Sequence, residues 1–370
     1  MKIVVNVARF ITGVLFIFSG LVKAIDPRGL AYKMQEFFEA FAHEGWMPGL
    51  MNSMNDYALG FSIVMITLEV VLGVALLMGF KRKITTILLL LLMILFTFLT
   101  SYVLFSGKIR ACGCFGDCIP ITPVQTFAKD IILLVLIIVL IIGHRYINPL
   151  AKRFISGTII VLATLAMLFL QWYVLRHLPV VDCLPFKKGN NIMKLREMPK
   201  DAVQDKFDYV FVYKKGAEQK EFTADALPDS TWEFVDRTQK LIEKGRNNVP
   251  LINDFHLTDS SGADITAAIF NTGATYYLLY LQEINDDSKK WVNDFKAIVD
   301  NSDRPVYVAS SQRSSIAKFL AQNGISVDGL YSLDATAIKT AARSTPTLYR
   351  MKGAVVVDKW GWAGFDKVKP

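Results

Sequence analysis

Long apolar runs dominate the first 175 residues and are missing from the remainder. Five of them approach or exceed the roughly 18 residues a helix needs to cross a bilayer: 5–24, 57–80, 84–105, 127–142 and 154–173. The fourth is the shortest. The first sits where a signal peptide would, but its Ser19-Gly20-Leu21-Val22-Lys23 end has no small-residue cleavage pattern, so it reads as a retained span. Between the first two spans, 25–56 alternates apolar and charged positions, as in Met34-Gln-Glu-Phe-Phe-Glu-Ala-Phe41. That spacing predicts amphipathic helices lying on the outer membrane face.

After a linker over 176–190, the period changes. Tyr209-Val-Phe-Val-Tyr213 and 218–223 flank a Lys214-Lys-Gly-Ala217 turn and predict a β-hairpin, while 230–244 fits helix and strand equally. From Pro250 the pattern is α/β: a strand at 276–281, a helix at 287–300, a strand at 305–309 and a helix at 314–323 ended by Gly324. Strands at 346–350 and 354–359 follow, joined by Lys352-Gly353. This is the order of a thioredoxin-like domain. The predicted fold class is multi-domain: a four-helix membrane bundle (1–145), a fifth span with its linker (146–189), a small α+β segment (190–249) and an α/β thioredoxin-like domain (250–370).

Composition agrees, with 52% hydrophobic residues in 370. Lys81, Arg82 and Lys83 fill the turn between spans two and three, Arg145, Lys152 and Arg153 the junction of spans four and five, and Lys2 the amino terminus. The loop at 25–56 is acidic instead, with Asp26, Glu36, Glu39, Glu44 and Asp56. The positive-inside rule then places the amino terminus in the cytoplasm of an inner-membrane protein, and five spans deliver residues 174–370 to the periplasm. The net charge of +8 suits an anionic membrane surface, and no basic helix or aromatic-basic array points to nucleic acid.

The chemistry concentrates in cysteine. Cys112, Cys114 and Cys118 lie in the loop between spans three and four, and the fourth cysteine, Cys183, follows span five, all on the oxidising side. Redox exchange is the functional reading, with Lys108 and Arg110 lowering a thiol pKa, and Asp117 and Asp130 opposing that or accepting protons. Structural disulfides and a four-cysteine metal site are the alternatives. Cys114 with Cys118 is the easier local pairing, leaving Cys112 for Cys183, though spacing does not fix the connectivity. The four histidines are scattered and form no metal motif. Glu69, near the centre of span two, needs a partner; Arg9 is the nearest candidate and Lys23 the weaker one. A structural ion pair and a proton or quinone site weigh equally there.

Arg9, Gly13, Phe16-Ile-Phe-Ser-Gly20, Lys23, Asp26-Pro27, Glu69-Val-Val-Leu-Gly73, Gly79, Cys112-Gly-Cys-Phe-Gly-Asp117 and Lys129-Asp130 resemble the DoxX-like membrane family and, within it, MauE. The resemblance covers about 1–145 and implies membrane redox chemistry: assisted disulfide formation, or electron transfer to a quinone, with Arg9, Glu69 and Asp130 as candidate cofactor-binding residues. Residues 250–365 resemble TlpA-like thioredoxin domains, with Pro346 of Ser344-Thr-Pro-Thr-Leu348 as the expected cis-proline. The whole resembles a Bacteroidetes-type fusion. One departure matters: where a redox thioredoxin carries Cys-x-x-Cys, this chain reads Gln282-Glu-Ile-Asn-Asp-Asp-Ser288. The outer domain is therefore expected to bind a client or partner and not to exchange dithiols. Three functions remain: a membrane thiol or quinone oxidoreductase, a non-catalytic assembly factor for an extracytoplasmic client, and a membrane scaffold.

Overall fold

The computed structural model describes residues 1–370 apart from 110–112, 114, 115, 117, 120, 217, 244 and 370. Seven helices build the first half: α1 (Lys2–Ala24), α2 (Pro27–His43), α3 (Pro48–Asp56), α4 (Ala58–Met78), α5 (Arg82–Ser106), α6 (Pro123–Ile142) and α7 (Arg153–His177). Among the described residues, α1, α4, α5, α6 and α7 are the five long and apolar enough to cross a membrane. The expected spans are thus present. The fourth begins four residues earlier than its apolar run, because Thr122 and Gln125 form a reciprocal capping box that starts the helix at Pro123.

Small residues set the tightest contact of the bundle. A Cβ on Gly73 would lie 2.9 Å from the Gly13 carbonyl, and one on Gly20 would lie 2.5 Å from Val70 Cγ2, so α1 and α4 touch backbone to backbone. Phe16, Leu72, Leu76, Leu89, Met93, Leu133 and Ile137 fill the interior between α1, α4, α5 and α6. The helix α7 stands outside this group against α4, held by Met167, Val174 and a Gln171 amide that donates to Thr67 Oγ1 at 3.0 Å. The helix α2 does more than lie on a surface. Its Phe37, Phe38 and Phe41 are buried with Leu99 and Val103 of α5 and form a cap on one end of the bundle.

The second half opens with α8 (Ile192–Arg196) and an antiparallel sheet of β1 (Lys206–Lys215), β2 (Glu218–Thr223) and β3 (Glu233–Glu243), ordered β2-β1-β3. The hairpin is as expected, and of the ambiguous stretch 233–243 is strand because β3 pairs along β1. The elements α9 (Thr266–Phe270), β4 (Thr275–Tyr280), α10 (Val292–Asn301), β5 (Val306–Ser310), α11 (Arg313–Gln322), β6 (Gly329–Ser332), α12 (Ala335–Ala341), β7 (Thr347–Lys352) and β8 (Val355–Gly361) complete the chain. Their sheet runs β6-β5-β4-β7-β8, with β4, β5 and β6 parallel and β7 and β8 antiparallel, a thioredoxin-like arrangement. Both faces are covered, so β4 reads as an unbroken apolar run. Tyr276, Leu278 and Tyr280 enter one core, and Tyr277, Leu279 and Leu281 the other.

The Thr345–Pro346 bond is cis, as expected. Four of these elements had no clear sequence signal: α8 and α9 with five residues each, β6 with four and α12 with seven. Ahead of β4, Thr258 forms isolated bridges to Asp264 and to Ser332.

Candidate functional site

The thioredoxin-like domain sits on the α2 end of the bundle, and it does so through the edge that carries its proline loop. Arg343 Nε lies 2.8 Å from Asp26 Oδ2, both largely buried. The neighbouring Ser344 hydroxyl donates to the Arg176 carbonyl at the end of α7 (3.1 Å), and Lys339 Nζ donates to Gln35 Oε1 (3.1 Å). The Tyr32 hydroxyl donates to Gln282 Oε1 at 3.2 Å, at the position where a redox thioredoxin would begin its Cys-x-x-Cys. Gly361 presses on the same helix end: a Cβ there would lie 2.4 Å from the Arg176 carbonyl. The proline-loop edge is therefore covered by α2 and α7 of the same chain.

Beside this contact opens a cleft of about 590 Å³. Its walls include Tyr32, Lys33 and Glu36 of α2, Lys339 and Arg343 of the thioredoxin-like domain, and a disulfide. That disulfide joins Cys118 to Cys183, with Cα atoms 4.9 Å apart. It differs from the easier local pairing of Cys118 with Cys114, in a connectivity that the spacing left open. The physical reason is the return of α7: it brings the chain back to the end of the bundle where the loop between α5 and α6 lies. A residue 65 positions away thereby becomes the partner of Cys118. Cys112 and Cys114, like Arg110 and Asp117, lie outside the described residues. Gly113 and Gly116 of that loop are described, both with positive φ (69° and 59°), a conformation that glycine adopts without strain. A Cβ on Gly113 would lie 3.1 Å from Lys33 Cγ, so the loop rests on α2 beside the cleft.

Three cations, Lys33, Lys339 and Arg343, surround the cleft, with Glu36 2.8 Å from Lys33 Nζ. Next to Cys183, Asp182 Oδ2 lies 2.5 Å from Lys359 Nζ. Burial pushes the Lys359 pKa down, and Asp182 only partly offsets this. Lys108, expected to act on a thiol, has Glu44 as its partner among the described residues. Its ammonium lies 2.6 Å from Glu44 Oε1, and that hydrogen bond raises the Lys108 pKa and lowers that of Glu44.

Inside the bundle, Glu69 takes Lys23 as partner, not Arg9. Lys23 Nζ lies 2.7 Å from both carboxylate oxygens, and Ser19 donates to Oε1 at 2.8 Å. Helix geometry explains the correction. Arg9 lies nearly four turns of α1 away from Lys23 and, in an antiparallel pair, reaches the far end of α4. There it donates to the carbonyls of Leu76 and Leu77, and to that of Asn148 beyond α6. Asp130 is fully buried, accepts from the Thr100 hydroxyl at 3.0 Å, and lies 2.8 Å from Lys129 Nζ. Thus Glu69 and Asp130 share one interior with Lys23 and Lys129, while Arg9 stands apart. The gap lined by Ser19, Lys23, Glu69, Lys129 and Phe96 measures about 10 Å³, the space of one water and too small for a quinone ring. Among the described residues, no group of histidine, cysteine and carboxylate could hold a metal ion.

Tyr32, Lys33, Lys339 and Arg343 escaped the sequence reading. Only the amphipathic period of 34–41 and the position of Arg343 just before the proline loop hinted at them.

Residues 1–143 match the family described as Methylamine utilisation protein MauE. The membrane unit is MauE-like. Residues 207–244, which contain most of the β1–β3 sheet, match a Domain of unknown function (DUF8463). Protein TlpB of Flavobacterium psychrophilum is 37% identical over 113 residues, which is 30% of this chain and 30% of that protein. The similarity therefore spans under a third of either. No solved structure matches the chain. The protein is a MauE-like membrane unit fused to a thioredoxin-like domain.

Proposed function

We propose that this protein is a thiol–disulfide relay on the outer face of the inner membrane, with Cys118–Cys183 as the disulfide offered to an extracytoplasmic client. The observation that carries the reading is the position of that disulfide in the wall of an open cleft ringed by Lys33, Lys339 and Arg343. Neighbouring cations favour the thiolate over the thiol, both for the attacking group and for the group that leaves. The positive-inside reading supports the outer placement, because Lys81, Arg82, Lys83, Arg145, Lys152 and Arg153 all lie at the end of the bundle away from the cleft.

The proposed step is balanced as follows. A client thiolate attacks one sulfur of the disulfide, forming a mixed disulfide and expelling the other sulfur as thiolate. A second client thiolate resolves the mixed disulfide. The client gains one disulfide and gives up two electrons and two protons, and Cys118 and Cys183 take them up as thiols. Joined as a disulfide, Cys112 and Cys114 would accept these electrons in turn. A Cys118 or Cys183 thiolate attacks that bond and the other resolves the mixed disulfide, so Cys118–Cys183 re-forms and Cys112 and Cys114 are left as thiols. The nearer of the two is at most about 15 Å of extended chain from Cys118. A quinone in the bilayer is the candidate terminal two-electron oxidant. The outer domain has no thiol at 282–288, and its role would be to form one wall of the cleft.

Because Cys118 and Cys183 tie a membrane loop to the linker of the outer domain, a second reading is a redox-silent staple in an assembly factor or scaffold. Thiol mapping by mass spectrometry, on the full-length protein in detergent, separates the two. The relay requires that a reduced dithiol peptide opens Cys118–Cys183 and that a short-chain quinone closes it again. It also requires that Cys118→Ser, whose Cys183 is a free thiol, attacks the disulfide form of the peptide, releases one peptide thiolate and accumulates the Cys183–peptide mixed disulfide. A bond that stays closed under these conditions, with loss of folding in Cys118→Ser, supports the staple.

A further inference from the structure

The end of the bundle opposite the cleft carries a second built surface, and we propose that it binds an anionic phospholipid of the bilayer. Two hollows share Phe80 and Arg153 there. One, of about 590 Å³, is an apolar groove along α7 past Phe154, Gly157 and Val161. The other, of about 430 Å³, opens beside it at Lys81 and Ser156. Gly157 shapes the groove, since a Cβ added to it would meet nothing within 4 Å. The apolar part suits an acyl chain, and the polar part suits a phosphodiester.

Three observations define the polar part. The helix α7 begins at Arg153 with no side-chain cap and no acid in its first turn, so its first amides and its dipole face outward without a partner carboxylate. Ser156 is 2% exposed, and its hydroxyl, which lines the second hollow, has no hydrogen-bond partner among the described residues. A buried hydroxyl in that state lacks an acceptor or donor that a lipid headgroup would supply. Charge is also complementary. Lys81, Lys152 and Arg153 form no ion pair among the described residues, and the sequence has no Asp or Glu from 70 to 116 or from 131 to 181. Cations at a membrane surface without carboxylates attract anionic lipid. The occupant would also cover α7 where the bundle does not: Phe154, Val161, Leu162 and Leu165 are all exposed.

Native mass spectrometry of the full-length protein with equal amounts of dioleoyl phosphatidylglycerol and dioleoyl phosphatidylcholine tests this. The wild type should retain phosphatidylglycerol about tenfold better, and the Lys81→Gln/Arg153→Gln variant should retain the two lipids equally. Gly157→Leu, which fills the groove and leaves every cation in place, should lower retention of phosphatidylglycerol. Excess inorganic phosphate should leave the lipid bound. Equal retention by the wild type, an unchanged preference in Lys81→Gln/Arg153→Gln, undiminished phosphatidylglycerol retention in Gly157→Leu, or displacement by inorganic phosphate would overturn the proposal.

Discussion

Lys23 and Glu69 show what a buried charge needs at membrane depth. The carboxylate receives two contacts from one ammonium and a third from Ser19, so neither charge is left uncompensated. Removing one partner strands the other. Lys23→Met should lower stability by about 3–5 kcal/mol, and Lys23→Met/Glu69→Leu should recover most of that loss. Thermal unfolding in detergent measures both, and equal losses in the single and double variants would contradict the pairing. Arg9 meets its need differently, by spending its guanidinium on backbone carbonyls at the other end of α1.

Lys359 yields a pH dependence whose sign follows from its burial. Its pKa in the folded protein is below the 10.5 of an unfolded chain, so the folded state holds the proton less tightly. Folding is penalised where the lysine is charged in both states, and the penalty fades as pH rises through the lowered pKa toward 10.5. Relative to Lys359→Met, the wild type should therefore gain stability across that alkaline window. A constant difference between the two denaturation midpoints would show that the lysine is not desolvated.

Elements are placed here by small residues and caps as much as by apolar stripes. The contact of α1 with α4 depends on Gly13 and Gly73, where any side chain meets backbone. Gly73→Val should force the helices apart at a cost of about 1–3 kcal/mol, read as a lower unfolding temperature in detergent. A neutral result would mean that the helices are free to slide. The spans were legible from apolar runs because lipid leaves a helix no polar alternative. The start of α6 was not, since a capping box and not hydrophobicity decides it. β6 and α12 were missed for a related reason. They are short, and they are held by the neighbours β5 and β4 more than by any period of their own.

Across the whole molecule, the outer domain is fastened by its proline-loop edge to α2 and α7, and the disulfide closes the same junction. The ion pair between Arg343 and Asp26 should be one of the main fasteners, because both side chains are largely buried. Asp26→Ala should raise hydrogen exchange in α2 and in the proline loop. The exchanged pair Asp26→Arg/Arg343→Asp should return it toward the wild-type level. Unaltered exchange in Asp26→Ala would mean that the disulfide alone holds the domain.

The sequence by itself determined the five spans, the class of the outer domain, its cis-proline and the loss of its Cys-x-x-Cys. Each is a local matter of period, turn chemistry or residue identity, and local interactions act between neighbours in the chain. Tertiary structure alone decided that Cys118 pairs with Cys183, that Glu69 faces Lys23, and that the thioredoxin-like domain turns its proline-loop edge onto α2 and α7. Each of these joins residues tens or hundreds of positions apart. The pairing depends on which helix ends meet, and no local pattern in the sequence records that.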